Sequence, residues 1–317
     1  MRVGQNPTKV LSSVRKPQRV TVAILNHIPI LEGFYSELMD VLDLSLSTAR
    51  NNSGMDFDLL VFDNASCKRV QDYLLEKYQA GEIQYLILSN QNMGKGGAWN
   101  VMLQAAPGEI VAYADNDVLY YENWLTKSVI LLESFPNVGM VTSRPYHSLP
   151  ELYSSTVNWA ENTQGVKIEK GAIVEEEWIR EFLVSLDRSD EEILKDLDIE
   201  DVRITYRDVS AYAGASHWQF LSWKKTLQEF LPIDLSKPMG QVLRLDEMVN
   251  KAGYLRLMTD RPYVMNLSNT ISNAPSHKTT QQNKQSSIFR KIIETPFVKS
   301  PLMRLYHLIF KLYSDRK

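Results

Sequence analysis

Two aspartates one residue apart end an apolar stretch of the chain, in the segment IVAYADNDVLYYENW at residues 110–124. Asp115 and Asp117 fall on the same side of an extended chain, because side chains alternate along a strand. Neighbouring carboxylates repel each other unless a cation compensates them. Mg²⁺ and Mn²⁺ prefer oxygen ligands, and Mg²⁺ typically takes one or two carboxylates and completes its shell with water and substrate phosphates. The pair therefore predicts a divalent cation site; a polar turn after a strand is the alternative.

A third aspartate, Asp63, ends another strand-like segment, DFDLLVFDNAS at residues 56–66. A carboxylate at such a strand end could accept a hydrogen bond from the imide N–H of a uracil. The same residues also suit a turn or a helix cap made by Asn64 or Ser66. The two interpretations are compatible, because a cap and a ligand contact can occupy one strand end.

A glycine-rich segment, NQNMGKGGAWN at residues 90–100, opens a predicted helix and carries Lys95. Backbone N–H groups at a helix N-terminus can hold phosphate or ribose oxygens. The spacing matches neither the Walker A pattern nor the dinucleotide-binding fingerprint. The segment therefore predicts either a contact to a nucleotide or a simple glycine-rich turn.

The elements around these residues alternate between strand and helix. This alternation predicts a parallel sheet covered on both faces, with ligands bound beyond the carboxyl ends of its strands. The predicted strands are 19–25, 56–66, 83–90 and 109–117, and the predicted helices are 31–49, 67–80 and 96–106.

The composition of the chain argues against several classes of protein. The chain has 317 residues and a net charge of −3, so it lacks the basic field of a nucleic-acid-binding protein. A single cysteine, Cys67, fits a reducing compartment. The sequence shows no secretory signal and no run of about 18 apolar residues. We therefore expect a cytoplasmic protein without nucleic-acid partners.

The three polar strand ends together resemble the nucleotide-sugar-binding half of the family 2 glycosyltransferases, which have the GT-A fold. The resemblance rests on VTVAILNH (20–27), FDNAS (62–66), NMGKGGAWN (92–100) and the D-x-D motif ADND (114–117). It implies an α/β fold with a Rossmann-like, mostly parallel central sheet flanked by helices, and a mixed subregion on the acceptor side. It also implies Mn²⁺ or Mg²⁺ as cofactor and a nucleoside-diphosphate sugar as donor.

The resemblance carries roles over to individual residues. Asp117 would bind the metal that bridges the diphosphate, with Asp115 near the ribose or a metal-bound water and counted as a second metal ligand. Asp63 would hold the base if the donor is a UDP-sugar. The positions implied to contact the nucleotide sugar are Leu25, Asn26, His27, Asp63, Asn92, Lys95, Asp115 and Asn116.

The family also has a carboxylate that takes the proton from the acceptor hydroxyl. Asp246 or Glu247, in RLDEMVNKAGYLRL (244–257), is the candidate, and a helix N-cap is the alternative for Asp246. His217 and Trp218 are candidate acceptor contacts, and His217 could instead be a metal ligand. A metal-binding His found in many relatives is replaced here by Asn266.

The implied reaction is a single displacement that inverts the anomeric centre. The sugar would move from a UDP-sugar, the favoured donor, to a hydroxyl of a glycan, which could be lipid-linked or protein-linked, as in polysaccharide biosynthesis. The Q-x-x-R-W motif of processive members is absent, so we expect one transfer per encounter. A sugar nucleotidyltransferase and a non-catalytic sugar-binding module on the same fold are the alternatives.

The domain organisation follows from these assignments. The C-terminal segment is basic with apolar residues at helical spacing, so it predicts an amphipathic helical tail. Such a helix could contact the inner face of a membrane peripherally or mediate self-association. The predicted regions are a flexible N-terminus (1–18), a nucleotide-sugar-binding half (19–145), an acceptor-binding half with a helical insertion (146–267), a linker (268–287) and the tail (288–317).

Overall fold

Apolar, β-branched segments alternate with amphipathic ones along the chain, and the computed structural model folds them into alternating strands and helices. It describes residues 13–197, 199–235 and 241–274, together with positions 4, 6 and 8. The strands are β1 Val20–Asn26, β2 Asp58–Asn64, β3 Tyr85–Ser89, β4 Ile110–Asp115, β5 Val118–Tyr120, β6 Val138–Thr142, β7 Lys167–Gly171, β8 Asp201–Tyr206, β9 Val209–Ala213, β10 Gln219–Trp223, β11 Leu255–Met258 and β12 Val264–Asn266.

The helices cover the strands and connect them. They are α1 Leu38–Asn51, α2 Lys68–Gln79, α3 Gly94–Ala105, α4 Trp124–Ser134, α5 Ser154–Glu161, α6 Glu176–Ser185, α7 Asp190–Asp196, α8 Lys224–Gln228 and α9 Gln241–Lys251. Short 3₁₀ turns occur at Gly33–Tyr35, Pro150–Leu152 and Ile271–Asn273. Within the described part of the chain, no helix is long and apolar enough to cross a membrane.

The central sheet has the strand order β3-β2-β1-β4-β10-β6-β11-β9-β8-β7. Strands β3, β2, β1 and β4 are parallel neighbours, as are β6 and β11. Strands β10, β9 and β7 run antiparallel to their neighbours. The prediction of an α/β fold with a mostly parallel sheet is thus confirmed, and the antiparallel strands give the mixed subregion. A separate small sheet pairs β12 with β5.

The core beneath the carboxyl ends of β1 and β4 is aromatic. Trp99 of α3 is fully buried and lies edge-on to Tyr113, with ring centroids 5.0 Å apart. Phe220 of β10 closes this cluster, 5.8 Å from Trp99. Burial of large rings contributes much of the apolar stabilisation of a domain. The cluster therefore holds α3 and its glycine-rich start firmly against the sheet.

The predicted helical insertion is only partly helical. Helices α5, α6 and α7 lie in this region, but β7 and β8 extend the central sheet there as an antiparallel pair. Strand β7 reads KIEKG and is mostly exposed. Charged side chains on an edge strand discourage pairing with other chains, and they also remove the apolar alternation by which a strand is predicted.

The two ends of the chain are described only in part. Residues 13–18 form no helix or strand. The first residues of the predicted linker contact the body, since Asn269 donates to the backbone of Phe34 and Thr270 donates to Glu37. Residues 275–317, which include the rest of that linker and the predicted tail, lie outside the described residues.

Candidate active site

The carboxyl ends of three neighbouring strands meet at one edge of the sheet. Asn26 at the end of β1 lies in register with Asp63 at the end of β2. On the other side of β1, Leu25 lies in register with Asp115 at the end of β4. The polar residues that follow separate apolar segments in the sequence are therefore neighbours in space, as the parallel order requires.

Asp115 is compensated by the protein itself. Its Oδ2 atom accepts a hydrogen bond from Nζ of Lys95 at 2.8 Å, and its Oδ1 atom accepts one from the hydroxyl of Tyr113 at 2.5 Å. The Lys95 ammonium also lies over the rings of Trp99 and Tyr113. Both carboxylate oxygens are thus engaged, and Lys95 links the glycine-rich segment to the D-x-D motif.

Asp117 has no such compensation. Burial and the neighbouring charge of Asp115 raise its pKa to about 7, against the opposing effects of Lys95 and its own backbone N–H. In the described part of the chain, no other residue's N–H or O–H donates to its carboxylate. Asp117 is therefore the acidic group of this edge whose charge the protein leaves largely unbalanced.

The residues around Asp117 fit a divalent cation whose coordination shell is completed by a bound substrate. No group of three or more His, Cys, Asp or Glu residues suited to a metal occurs among the described residues. Asn266 lies opposite Val118, and the backbone N–H of Leu267 donates to the carbonyl of Asp117 at 2.8 Å. The protein thus offers one or two carboxylates, the set that Mg²⁺ uses when substrate phosphates supply further oxygens.

Asp63 is more deeply buried than its predicted contact with a base suggests. It is fully inaccessible, and its Oδ1 atom accepts from Asn26 at 2.8 Å. Its Oδ2 atom accepts from the backbone of Ser66 and from Gln71, both at 3.1 Å. Asn116 in turn donates to Asn26 at 2.7 Å. In this arrangement Asp63 braces β1, the start of α2 and the D-x-D motif.

A second polar network lies at the rim of the same edge. Nδ1 of His27 lies 2.7 Å from the carbonyl of Asn64, and Nε2 of His27 lies 3.2 Å from Asn92. Asn64 donates to Asn92 at 2.9 Å and accepts from the backbone of Met93 at 2.8 Å. Asn92 is exposed and His27 is half-buried. The sequence predicted only a turn or a helix cap for Asn64, but Asn64 also joins the end of β2 to the glycine-rich segment.

Leu25 and the glycines near Lys95 contribute chiefly through packing and backbone shape. Leu25 lies in the core cluster that contains Trp99. Gly94, at the start of α3, has φ +66°, a left-handed conformation that glycine adopts without strain. A Cβ at Gly97 would lie 2.9 Å from Cβ of Met93. The glycine-rich segment is thus both a turn and a close-packed helix start.

Asp246 lies inside α9, which begins at Gln241. The interpretation of Asp246 as a helix N-cap is therefore wrong, because the helix starts earlier than the pattern EMVNKAG predicts. The carboxylate is 2% exposed. Glu247, the next residue, is exposed on the same helix.

The carboxylate of Asp246 is held by two partners. Its Oδ1 atom accepts from Arg256 of β11 at 2.5 Å, and its Oδ2 atom lies 2.7 Å from Nδ1 of His217. Arg256 is fully buried and also donates to the carbonyls of Ala215 and Leu152. The sequence did not point to Arg256, although a cation inside the apolar strand LRLM is a signal that a buried anion lies nearby.

His217 and Trp218 connect this group to the D-x-D motif. The carbonyl of Trp218 accepts a hydrogen bond from the backbone N–H of Asp115 at 3.0 Å. The Trp218 indole stacks on the ring of Phe182 in α6, with ring centroids 5.6 Å apart. The ring of Tyr146 lies 5.5 Å from the ring of Phe182. The region from 146 to 210 thus contributes an aromatic side chain that packs on Trp218, which its polar sequence did not reveal.

Comparison with known families identifies the part of the chain that carries the D-x-D motif. Residues 34–171 match the family model described as Glycosyl transferase family 2. This region belongs to glycosyl transferase family 2. The match confirms the family that the sequence predicts for this region. It includes Asp63, the glycine-rich segment and the D-x-D motif, but it ends before His217 and Asp246.

Solved glycosyltransferase structures are similar to the chain at low sequence identity. The mannosyltransferase PcManGT from Pyrobaculum calidifontis, in complex with GDP-Man and Mn²⁺, is 16% identical with a TM-score of 0.46. TarS 1-349 from S. aureus is 13% identical with a TM-score of 0.42, and its complex with UDP-GlcNAc is 11% identical with a TM-score of 0.43. Each alignment covers 78% of this chain but only 55–60% of the other chain. No curated protein matches the sequence.

Proposed function

We propose that the protein is a metal-dependent, inverting glycosyltransferase that moves one sugar from a nucleoside-diphosphate donor to a hydroxyl of a glycan or glycoconjugate. A UDP-sugar is the favoured donor. The observation that carries the proposal is Asp117, a carboxylate with little compensation at the strand ends of a family 2 domain. Such a charge gains most from a cation that arrives with an anionic ligand.

On the donor side, the two polar networks form the floor and the rim of a nucleotide site. His27 and Asn92 lie at the rim, where they can contact the base and the ribose. Asn26, Asp63 and Asn116 hold the strand ends in position behind them. Lys95 lies against Asp115, so its ammonium is placed at the edge where the diphosphate would lie.

Asp117, with Asp115 beside it, would hold Mn²⁺ or Mg²⁺. A divalent cation bound there would neutralise the charge that develops on the departing diphosphate. Lys95 adds a fixed positive charge from the protein, and Tyr113 orients Asp115 through its hydroxyl. The leaving group then needs no protein acid, because its charge is balanced without proton transfer.

The acceptor side would be formed by the aromatic residues around His217 together with the Asp246 group. Trp218 is partly exposed and its indole stacks on the buried ring of Phe182, so the indole could meet the apolar face of a sugar. A single displacement at the anomeric carbon inverts its configuration and requires a base on the acceptor side. The buried carboxylate of Asp246 supplies negative charge on this side.

Binding and hydrolysis measurements test the proposal. Titration calorimetry with UDP and with GDP, each with Mn²⁺ and with excess EDTA, should show nucleotide binding that requires the metal. A panel of UDP- and GDP-hexoses should then show slow, metal-dependent release of the nucleoside diphosphate. A sugar nucleotidyltransferase would instead release pyrophosphate from a nucleoside triphosphate and a sugar phosphate. Binding without any turnover would identify a non-catalytic module.

A further inference from the structure

The carboxylate of Asp246 is poorly placed to meet an acceptor hydroxyl. It is 2% exposed, one oxygen is engaged by Arg256 and the other by His217. A general base must come within hydrogen-bond reach of the proton that it removes. Neither oxygen of Asp246 has that access while both partners remain in place.

The imidazole of His217 has the access that Asp246 lacks. Its side chain is 31% exposed, and its Nδ1 atom lies 2.7 Å from Oδ2 of Asp246. Because an ionised carboxylate only accepts hydrogen bonds, the shared proton belongs to Nδ1, and the lone pair is on Nε2. No described residue makes a hydrogen bond to Nε2.

The position of His217 in the chain places it beside the sheet edge that carries Asp63, Asp115 and Asp117, which we call the donor edge. It directly precedes Trp218, whose carbonyl accepts from the backbone of Asp115. It directly follows Ser216, whose backbone N–H donates to Thr142 at the end of β6. Both contacts fix the segment that bears the imidazole, so its orientation depends on secondary structure and on Asp246.

We propose that His217 is the general base of this glycosyltransferase and that Asp246, anchored by Arg256, is its positioning residue; the inference rests on the proposed function. Nε2 of His217 takes the proton of the acceptor hydroxyl as its oxygen forms a bond to the anomeric carbon. The bond from that carbon to the diphosphate oxygen breaks, and its electron pair leaves with the diphosphate. The resulting imidazolium is stabilised by the Asp246 carboxylate.

The other ionisable groups around His217 favour this assignment. Asp246 of α9 and Arg256 of β11 form a buried salt bridge. Tyr146 is the further candidate for proton transfer, but burial raises its pKa to about 12, with Arg256 lowering it and Asp246 raising it. Tyr146 therefore stays protonated at neutral pH and does not compete with the imidazole for the acceptor proton.

Replacement of the imidazole by an amide tests the roles of its two nitrogens separately. In His217→Asn the side-chain N–H₂ can still donate to Asp246, but no basic atom replaces Nε2. The probe is the member of a panel of UDP-glucose, UDP-galactose, UDP-N-acetylglucosamine and GDP-mannose that the wild type turns over fastest with Mn²⁺, with methyl glycosides and water as acceptors. We expect kcat to fall by about 10²–10⁴-fold, with the affinity for Mn²⁺ and nucleoside diphosphate unchanged.

Two further readouts distinguish a base from a structural residue. Added imidazole should restore part of the activity of His217→Ala but not that of His217→Asn, in which the amide fills the space. The rise of kcat/KM with pH that a titrating imidazole produces should persist in Asp246→Asn, with a lower kcat, and disappear in His217→Asn. His147→Asn is the matched control, because His147 is a buried histidine paired with Asp196 and lies outside the proposed machinery.

The outcomes separate the inference from the function on which it rests. Wild-type protein that neither binds a nucleoside diphosphate with Mn²⁺ nor turns over any donor would overturn the proposed function and the inference with it. An active wild type with an equally active His217→Asn variant would overturn the inference alone. Loss of Mn²⁺-dependent nucleotide binding in His217→Asn would identify His217 as a metal ligand instead. A large loss confined to Glu247→Gln would transfer the role of base to Glu247.

Discussion

The donor edge holds the partly buried carboxylate of Asp117 and the acceptor side holds the buried carboxylate of Asp246, and the protein compensates the two charges in opposite ways. Asp246 has a fully buried guanidinium on one oxygen and an imidazole on the other. Asp117 has Lys95 only at a distance, because that ammonium is engaged by Asp115. The raised pKa of Asp117, about 7, reflects its burial and its neighbour Asp115.

The difference indicates where each side obtains its missing charge. A buried ion is costly unless it is paired. On the acceptor side the protein supplies the pair permanently, which produces a rigid support for His217. On the donor side the compensation is left to a bound cation and its nucleotide. Donor binding should therefore depend on the metal concentration in solution, whereas the contacts among Asp246, Arg256 and His217 should form without any ligand.

The largest expected effect follows from removing the charge of Asp117. Asp117→Asn keeps the shape of the side chain but removes the anion, so metal-dependent donor turnover should fall by about 10³-fold, the loss expected when charge stabilisation at a leaving group is lost. Turnover of the best nucleotide sugar with Mn²⁺ measures it.

Asp72→Asn is the matched control, because Asp72 forms an exposed pair with Lys68 on α2. This variant should keep the activity of the wild type. Wild-type turnover that is equally fast in excess chelator would contradict the assignment of a metal to the donor edge.

The sequence predicted best those site residues that lie at the ends of parallel strands. Runs of β-branched and apolar residues predicted β1 to β4, and parallel order then placed Asp63, Lys95 and the D-x-D motif at one edge. The pattern carries this information because the carboxyl ends of parallel strands share one side of a sheet. The family match covers β2, β3 and β4 and confirms the predicted family.

The acceptor side was less accessible to sequence reasoning, for two physical reasons. First, the environment of Asp246 depends on β11 and on the segment before β10, which come together only in the folded sheet. Second, α6 contributes Phe182 from an acidic region whose polar face dominates its sequence. The family resemblance indicated Asp246 as a candidate, but only tertiary contacts show that Arg256 and His217 engage both of its oxygens.

A second test of the comparison concerns stability. Arg256→Met removes the buried cation and leaves Asp246 without its main partner, which should lower the free energy of unfolding by about 3–5 kcal/mol. Urea denaturation without ligands measures the change.

The double variant Asp246→Asn/Arg256→Met should recover part of this loss, because neither charge then remains buried and unpaired. Equal stability of Arg256→Met and the wild type would mean that Asp246 is not an uncompensated anion when Arg256 is removed. In that case the two regions would not differ as described.

A third test concerns the pH dependence that Asp117 imposes on the ligand-free protein. Its pKa is about 7 in the folded chain and close to the ordinary value of 3.8 in the unfolded one. Between these values the folded chain holds a proton that the unfolded chain has released, so the free energy of unfolding falls as pH rises through this window. Below about pH 4 both states are protonated, and above about pH 7 both are ionised, so the contribution is constant there.

Asp117→Asn lacks this titration, so its midpoint of thermal unfolding relative to the wild type should rise between about pH 4 and about pH 7 and then level off. Scans with EDTA at matched ionic strength measure the difference, in which the other titrating groups cancel. Above pH 7, Mn²⁺ with UDP should raise the midpoint of the wild type and leave that of Asp117→Asn nearly unchanged, because only the wild type gains a bound cation. A difference between the two proteins that does not vary with pH would show that the Asp117 carboxylate is already compensated without a ligand, and the contrast between the donor and acceptor sides would then be lost.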